Sequence, residues 1–411
     1  MVNEVSGHAE RNVTTFLLVM LASLTAFAPF VTDMYLPAFP LMQDFFDASK
    51  SEVQLGLTTS MVGLAIGHLI IGPLSDKFGR KVPLLASLAC FAVASAFCIM
   101  STNIVMFVAL RFLQGFGASG GVVLARSIAT DLYSGSPLAR VMAIIGAISG
   151  IAPVLSPVIG GVLLSFSPWQ GIFAVLLAIG IVLLVSSFRL PESHPIEKRR
   201  DMSVLKSFAQ IVPLMKNREF RLYTLMRAFC MFAFFGNISA SPFIFQQVYG
   251  FSALAFSLIF GVNALTIGAC AMLSVRFKTP QMSIRAGTSI FLFSSVCVAV
   301  SLYCHAPFAV FGASVWLMHA GFGLILAPMI ALAMNAGRAN AGLASAVFGA
   351  AEFVAGGISS PIVGQGSIFV TPGIILVSGA VLTFATAAFV RYGDRRLDKK
   401  ALCCCHAHEN V

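Results

Sequence analysis

The chain has 411 residues, of which 58% are apolar and only 10% charged, and its formal net charge is +10. A water-soluble domain carries about 25% charged residues, so a soluble globular protein is excluded. The basic excess does not signal nucleic acid either, because Lys and Arg are dealt out loop by loop and form no continuous face.

An apolar helix of about 20 residues crosses a bilayer. Runs of that length predict six spans near 14–36, 53–75, 82–101, 104–130, 139–165 and 170–189, and six more near 221–246, 252–275, 285–304, 307–333, 342–365 and 372–391. The first run is too long for a cleavable signal peptide and has no small-residue cleavage site, so it is expected to be a span. Between the two sets lies a polar connection holding Glu192, Glu197, Lys198, Arg199, Arg200 and Asp201, followed by an amphipathic stretch, Ser203–Met215, expected to lie on the membrane surface. The expected fold class is an all-α membrane protein with twelve transmembrane helices. An N-terminal six-helix bundle covers 1–190, a cytoplasmic linker 191–220, a C-terminal six-helix bundle 221–395 and a cytoplasmic tail 396–411. With the N-terminus in the cytoplasm, 22 of the 26 Lys and Arg fall on the inner side; Arg111, Arg126 and Arg227 fall within spans and Lys50 alone lies outside. Cytoplasmic loops carry such an excess, which places both termini inside.

Spans 3, 6, 9 and 12 have no ionisable residue in their interiors, the pattern expected of a three-helix unit repeated four times. A charge at a helix centre costs about 2.5–3.5 kcal/mol, so the exceptions point to function. Asp33 and Glu352 are the candidate proton carriers, because an unpaired carboxylate in hydrocarbon trades its charge for a proton. Arg111 lies at a depth similar to Asp33; it is expected either to pair with it or to brace the fourth span through backbone carbonyls. Arg227, Asn237, Asn263, His319 and Glu352 are candidate polar groups of a substrate cavity, and the abundant Phe would suit greasy ligands. His68 and His319 are lone histidines, either satisfied polar groups or proton sites. Gly146, Gly150, Pro153, Pro157, Gly160 and Gly161 in the fifth span predict a hinge and a tight helix seam. The cysteine spacing fits no disulfide, metal or redox pattern. The end, Cys403-Cys404-Cys405-His406-Ala407-His408, is read as a disordered tail, with soft-metal binding or lipid attachment as alternatives.

Residues 72–81 read Gly-Pro-Leu-Ser-Asp-Lys-Phe-Gly-Arg-Lys between two apolar runs, so Asp76, Lys77, Arg80 and Lys81 sit in a turn at the membrane surface. Asp131 ends the fourth span at the same surface, where a pair with Arg80 would latch the inner gate. These ten residues match G-x-L-x-D-x-x-G-R-K, the loop between the second and third helices of the major facilitator superfamily. Further carriers are Asp33-Met34-Tyr35-Leu36-Pro37-Ala38-Phe39-Pro40, Arg111-Phe112-Leu113-Gln114-Gly115, Ala125-Arg126-Ser127 with Asp131-Leu132-Tyr133, Ala152-Pro153 with Pro157-Val158-Ile159-Gly160-Gly161, and Pro191-Glu192-Ser193. On these residues the chain resembles the twelve-span drug:proton antiporters, most closely their bicyclomycin/chloramphenicol resistance (Bcr/CflA) branch. The match is dense over the first 195 residues and mainly topological afterwards.

The resemblance implies the major facilitator fold, a bacterial inner-membrane location, and proton-driven export of small, mostly hydrophobic compounds, an antibiotic-resistance type of multidrug efflux. It implies that Asp33 and Arg111 take part in proton and substrate coupling; these two and Gln114 are also candidate residues of the substrate cavity. It further implies that Gly72, Asp76, Gly79, Arg80, Lys81, Arg126 and Asp131 gate the inner face, and that Pro157 to Gly161 belong to the antiporter signature. Four residues depart from the pattern: Ser156 for a glycine, Thr130 for an arginine, His68 for the more frequent Gln, and Glu352 where a neutral residue is usual. The expected partners are a small-molecule substrate, protons and the lipid bilayer, with a monomeric chain and no nucleic acid. The expected mechanism is alternating access driven by the proton gradient. No Walker loop, nucleophile elbow, zinc spacing or dinucleotide fingerprint occurs, so no enzyme activity, metal or cofactor is expected. Two alternatives stay open: a dedicated transporter of an amino acid, nucleoside or siderophore, with Glu352 and Arg227 as its polar site, and a membrane sensor or scaffold using the basic 189–221 loop and the Cys/His tail.

Overall fold

Short polar turns separate the apolar runs, and Ser49, Asn103 and Thr279 cap the helices that follow them. The computed structural model describes residues 15–199 and 211–408. Among these, fourteen α-helices follow one another: α1 (Thr15–Asp33), α2 (Phe39–Phe46), α3 (Lys50–Phe78), α4 (Lys81–Ile99), α5 (Ile104–Leu132), α6 (Gly135–Leu164), α7 (Gln170–Ser187), α8 (Ile211–Lys216), α9 (Arg218–Phe243), α10 (Ala253–Leu273), α11 (Pro280–Tyr303), α12 (Phe308–Ala336), α13 (Ala341–Val363) and α14 (Thr371–His408). Twelve stretches are long and apolar enough to cross a membrane, with α1 and α2 counted as one and α9 extended through a π-turn over Ile244–Val248.

Most boundaries fall within a few residues of the expected ones, and two differences matter. The first span is not one continuous helix. Pro37 has no N–H to give the Asp33 carbonyl and its ring would crowd that oxygen, so α1 stops at Asp33 and the chain makes a 3₁₀ turn, Leu36–Ala38, before α2. At the other end, α14 runs on to His408 where a disordered tail is expected. After Gly393 no proline or glycine interrupts a run rich in Arg, Lys, Leu and Ala, which favour helix. Of the expected surface stretch, 203–210 lie outside the described residues, as do Arg11, Arg200 and Asp201; Ile211–Lys216 form the short α8.

The contacts divide the chain into two units, Met1–Ser207 with Ser241–Val262, and Phe208–Ala240 with Asn263–Val411. In unit 1, α3 lies against α5 with backbones nearly touching: a Cβ at Gly115 would meet the Ser60 carbonyl oxygen at 2.0 Å, and one at Gly63 the Phe112 carbonyl oxygen at 2.2 Å. Only glycine admits that approach. The helices α4 and α7 pack together beside α5. The same unit holds the end of α9 and the start of α10, where Phe243 meets Phe39 and a Cβ at Gly161 would meet the Ser257 hydroxyl at 2.3 Å. In unit 2, α11 packs on α12 and α14, again through glycines, Gly287 and Gly321.

Candidate functional site

The turn after α3 is a knot of charge. Gly79 has φ +90°, and a Cβ there would meet Glu192 Oε2 and Arg199 Nη2, each at 2.6 Å, so glycine is needed for both conformation and space. Arg80, with a side chain only 9% exposed, donates from Nη1 to Asp76 Oδ1 and to Ser75 Oγ, both at 2.6 Å, and from Nε to Asp131 Oδ2 at 2.8 Å. Burial alone would lower its pKa, but the hydrogen bonds and charges of Asp131 and Asp76 outweigh that and hold the guanidinium above its usual range. The structure adds two residues from the Pro191-Glu192-Ser193 segment. Glu192 accepts the backbone N–H groups of Arg80 (2.8 Å) and Lys81 (3.2 Å), capping the N-terminus of α4, and Ser193 donates to Asp131 at 3.1 Å. Burial pushes the Glu192 carboxyl up, but the N–H groups of His194, Arg80 and Lys81 and the Arg199 charge prevail, leaving it below the usual carboxylate range. Lys81 points away from these acids and donates to the Phe188 carbonyl at 2.8 Å.

Deeper in unit 1, Arg111 is fully buried. It donates to the Val31 carbonyl at 2.7 Å, to the Gly56 carbonyl at 3.3 Å and to Gln114 Oε1, and its guanidinium lies 4.2 Å from the Tyr35 ring centroid. Gln114 passes the chain on to Ser95 at 2.7 Å. Asp33 is also buried, 7% exposed, but it does not pair with Arg111 or with any other cation among the described residues. The physical reason is that free carbonyls compete for the guanidinium: the last carbonyls of a helix have no partner within it. Arg111 reaches the Val31 backbone carbonyl near the end of α1, not the side chain of Asp33 two residues further on. The pairing contemplated for Asp33 and Arg111 is therefore absent, and the arginine braces carbonyls instead.

In unit 2, Arg227 on α9 is 5% exposed and donates from Nη2 to Glu352 Oε2 on α13 at 2.5 Å. Its guanidinium carbon sits 5.5 Å from the Phe348 ring centroid, and its Nε and Nη1 are buried without a hydrogen-bond partner among the described residues. Among the described residues no group of three or more His, Cys, Asp or Glu is placed to hold a metal ion.

A family model described as Major Facilitator Superfamily matches residues 21–361. This chain belongs to the Major Facilitator Superfamily. It is 38% identical to the uncharacterized MFS-type transporter YdgK of Bacillus subtilis (strain 168), over 91% of this chain and 94% of that one. It is 27% identical to a bicyclomycin resistance protein homolog of Haemophilus influenzae, over 94% and 98%. Its fold matches a partially occluded, inward-open structure of the xylose transporter XylE from E. coli with a TM-score of 0.71 at 16% identity, over 92% and 97%. This major facilitator protein is an integral protein of the bacterial inner membrane, and its family is one of transporters of small molecules.

The remaining candidates are dispersed within their units. In this major facilitator protein Gly160 and Gly161 do make close approaches: a Cβ at Gly160 would meet the Met34 carbonyl oxygen at 1.8 Å, so α6 seats on the break after α1. Gly146 and Gly150 do not belong to that seam, since a Cβ at either meets nothing within 4 Å. The close glycine contacts of α6 come further along, past Pro153 and Pro157. Gly72 is loosely packed, with a Val123 methyl 3.9 Å from its would-be Cβ, and Arg126 is exposed on α5. Asn237 and Asn263 are buried. His68 and His319 each face a carbonyl one turn back on their own helix, Leu64 and Val315, at 2.8 Å; the His319 ring also lies 5.6 Å from Phe234. Sequence reasoning missed Glu192 as a cap and Tyr35 as the platform of Arg111. Their only sequence signal was membership of short motifs flanking a proline, with nothing to say what they touch.

Proposed function

We propose that this chain is a proton-coupled exporter of small, mostly hydrophobic compounds that works by alternating access as a monomer, driven by the proton gradient without a cofactor. The observation that carries the reading is Asp33, a carboxyl buried at the break in the first span with no cation paired to it among the described residues. Such a group is charged only in some arrangements of its surroundings, so proton binding and protein shape are linked. The name of the bicyclomycin resistance homolog supports a drug-type solute. The Lys and Arg distribution supports cytoplasmic termini, which puts the Arg80 cluster on the inner face. There Asp76, Arg80, Asp131 and Glu192 act as the gate, and two six-helix bundles, 1–190 and 221–395, flank the linker 191–220. Arg111 with Gln114 holds the broken helix in register for Asp33. One charge moved through 100 mV yields about 2.3 kcal/mol, enough for roughly a fifty-fold solute gradient per proton.

The test is the purified protein in liposomes with a pH-sensitive dye and a panel of apolar drugs. Drug-evoked proton movement in wild type and its loss in Asp33→Asn is the expected result. Undiminished movement in Asp33→Asn removes that residue from the mechanism, and drug flux indifferent to an imposed pH difference overturns the proton coupling.

A further inference from the structure

We propose that Arg227 and Glu352 form a binding site for a zwitterionic solute with an apolar body, its carboxylate held by Arg227 and its ammonium by Glu352. The inference rests on the transporter reading above; the pair lies about 14 Å into α9 and about 16 Å into α13, inside two of the apolar spans. Its starting point is an unmet demand. A guanidinium presents five N–H donors in a rigid fork. Arg227 spends one nitrogen on Glu352, its face is against Phe348, and the in-plane Nε and Nη1 are buried with no acceptor among the described residues. Buried donors are rarely left so unless something outside the chain meets them. Nε and Nη1 lie on opposite edges of the guanidinium, each edge completed by Nη2, so one anionic acceptor meets one of them, and a carboxylate is a common such group.

The sign of the charge narrows the solute further. A second carboxylate on Arg227, beside Glu352, would leave a net negative charge in an apolar interior. A solute that brings its own cation avoids this. The Glu352 side chain is 22% exposed, and its Oε1 has no partner among the described residues, so it is placed to take that cation. A zwitterion inserted into a neutral ion pair leaves the site neutral and displaces no proton, so Asp33 keeps its role. The neighbours Phe348 and Cys230 favour an apolar side chain on the solute.

The test measures ligand-dependent thermal stabilisation of the purified full-length protein in detergent, which needs no gradient. The probes are L-phenylalanine, L-leucine and 4-(aminomethyl)benzoate, against L-phenylalanine methyl ester, which lacks the carboxylate, and 3-phenylpropionate, which lacks the amine. At least one zwitterion is expected to bind, and both blocked analogues at least tenfold more weakly than L-phenylalanine or not at all. Arg227→Lys keeps the charge but loses the fork; it is expected to weaken the zwitterion at least tenfold and leave the ester unchanged. Glu352→Gln is expected to weaken the zwitterion similarly and leave 3-phenylpropionate unchanged. No stabilisation by any zwitterion, equal stabilisation by the blocked analogues, or wild-type affinity in Arg227→Lys overturns the proposal. Where a variant fails to unfold cooperatively, the analogue series in wild type decides alone. Zwitterion binding without drug-evoked proton movement would sink the export reading and leave this site standing; drug-evoked proton movement without zwitterion binding would do the reverse.

Discussion

Arg111 of unit 1 and Arg227 of unit 2 are both buried in apolar helices, yet they are satisfied differently. Arg111 gives its protons to two backbone carbonyls and an amide and faces an aromatic ring, whereas Arg227 gives one to a carboxylate and keeps two nitrogens without acceptors among the described residues. The carbonyl of Val31 is free for Arg111 because α1 ends two residues later, and the last carbonyls of a helix have no partner in their own chain. A cation matched by neutral dipoles is a brace. A cation matched by one acid, with donors to spare, is a receptor. Arg111 is therefore expected to matter most for stability and Arg227 for what the protein binds.

Five measurements sharpen that contrast between parts of the molecule. Replacing Arg111 by Met removes three charge-assisted hydrogen bonds, each worth about 1.5–3 kcal/mol, and should cost about 4 kcal/mol in unfolding free energy in detergent; wild-type stability would end the distinction. Arg227→Met strands Glu352 and should cost about 3 kcal/mol, most of it restored in Arg227→Met/Glu352→Leu, because removing both charges of a buried pair is close to neutral. Failure of the second substitution to rescue would show that Arg227 is a brace too. Next in size, Gly115→Ala drives a Cβ onto the Ser60 carbonyl and should cost about 2 kcal/mol. Gly150→Ala meets nothing and should be neutral or stabilise by about 0.5–1 kcal/mol, as alanine does in a helix. The smallest effect is expected at the surface turn. Glu192→Gln should cost about 1 kcal/mol at neutral pH. The folded-state pKa of Glu192 lies below its ordinary value of 4.5. Its contribution is therefore full above about pH 4.5 and is lost as pH falls through the folded value. The melting difference between wild type and Glu192→Gln should close on acidification below pH 4.5, and a difference that persists would show that the carboxylate charge is not what caps α4.

Several features could be read before any fold was known. The turn at Gly79 announced itself through a short motif, and the spans through apolar length. The break after Asp33 is written in Pro37, but apolar length alone predicts one continuous span, because hydropathy does not register a missing N–H. The partners of Arg111 were not legible, since they depend on which free carbonyls the end of α1 brings to the guanidinium. The clamp of Glu192 on the turn joins residues more than a hundred positions apart, and no local pattern reports such a meeting.

The amino-acid order alone determined how many times this chain crosses the membrane, its family likeness and which few polar groups lie in its apolar spans. These follow from transfer of each segment out of water, a property of composition and length. Which of those groups touch was decided only when helices packed. Contact depends on rotational phase and on the close approaches that glycine allows, and neither is a property of any single segment.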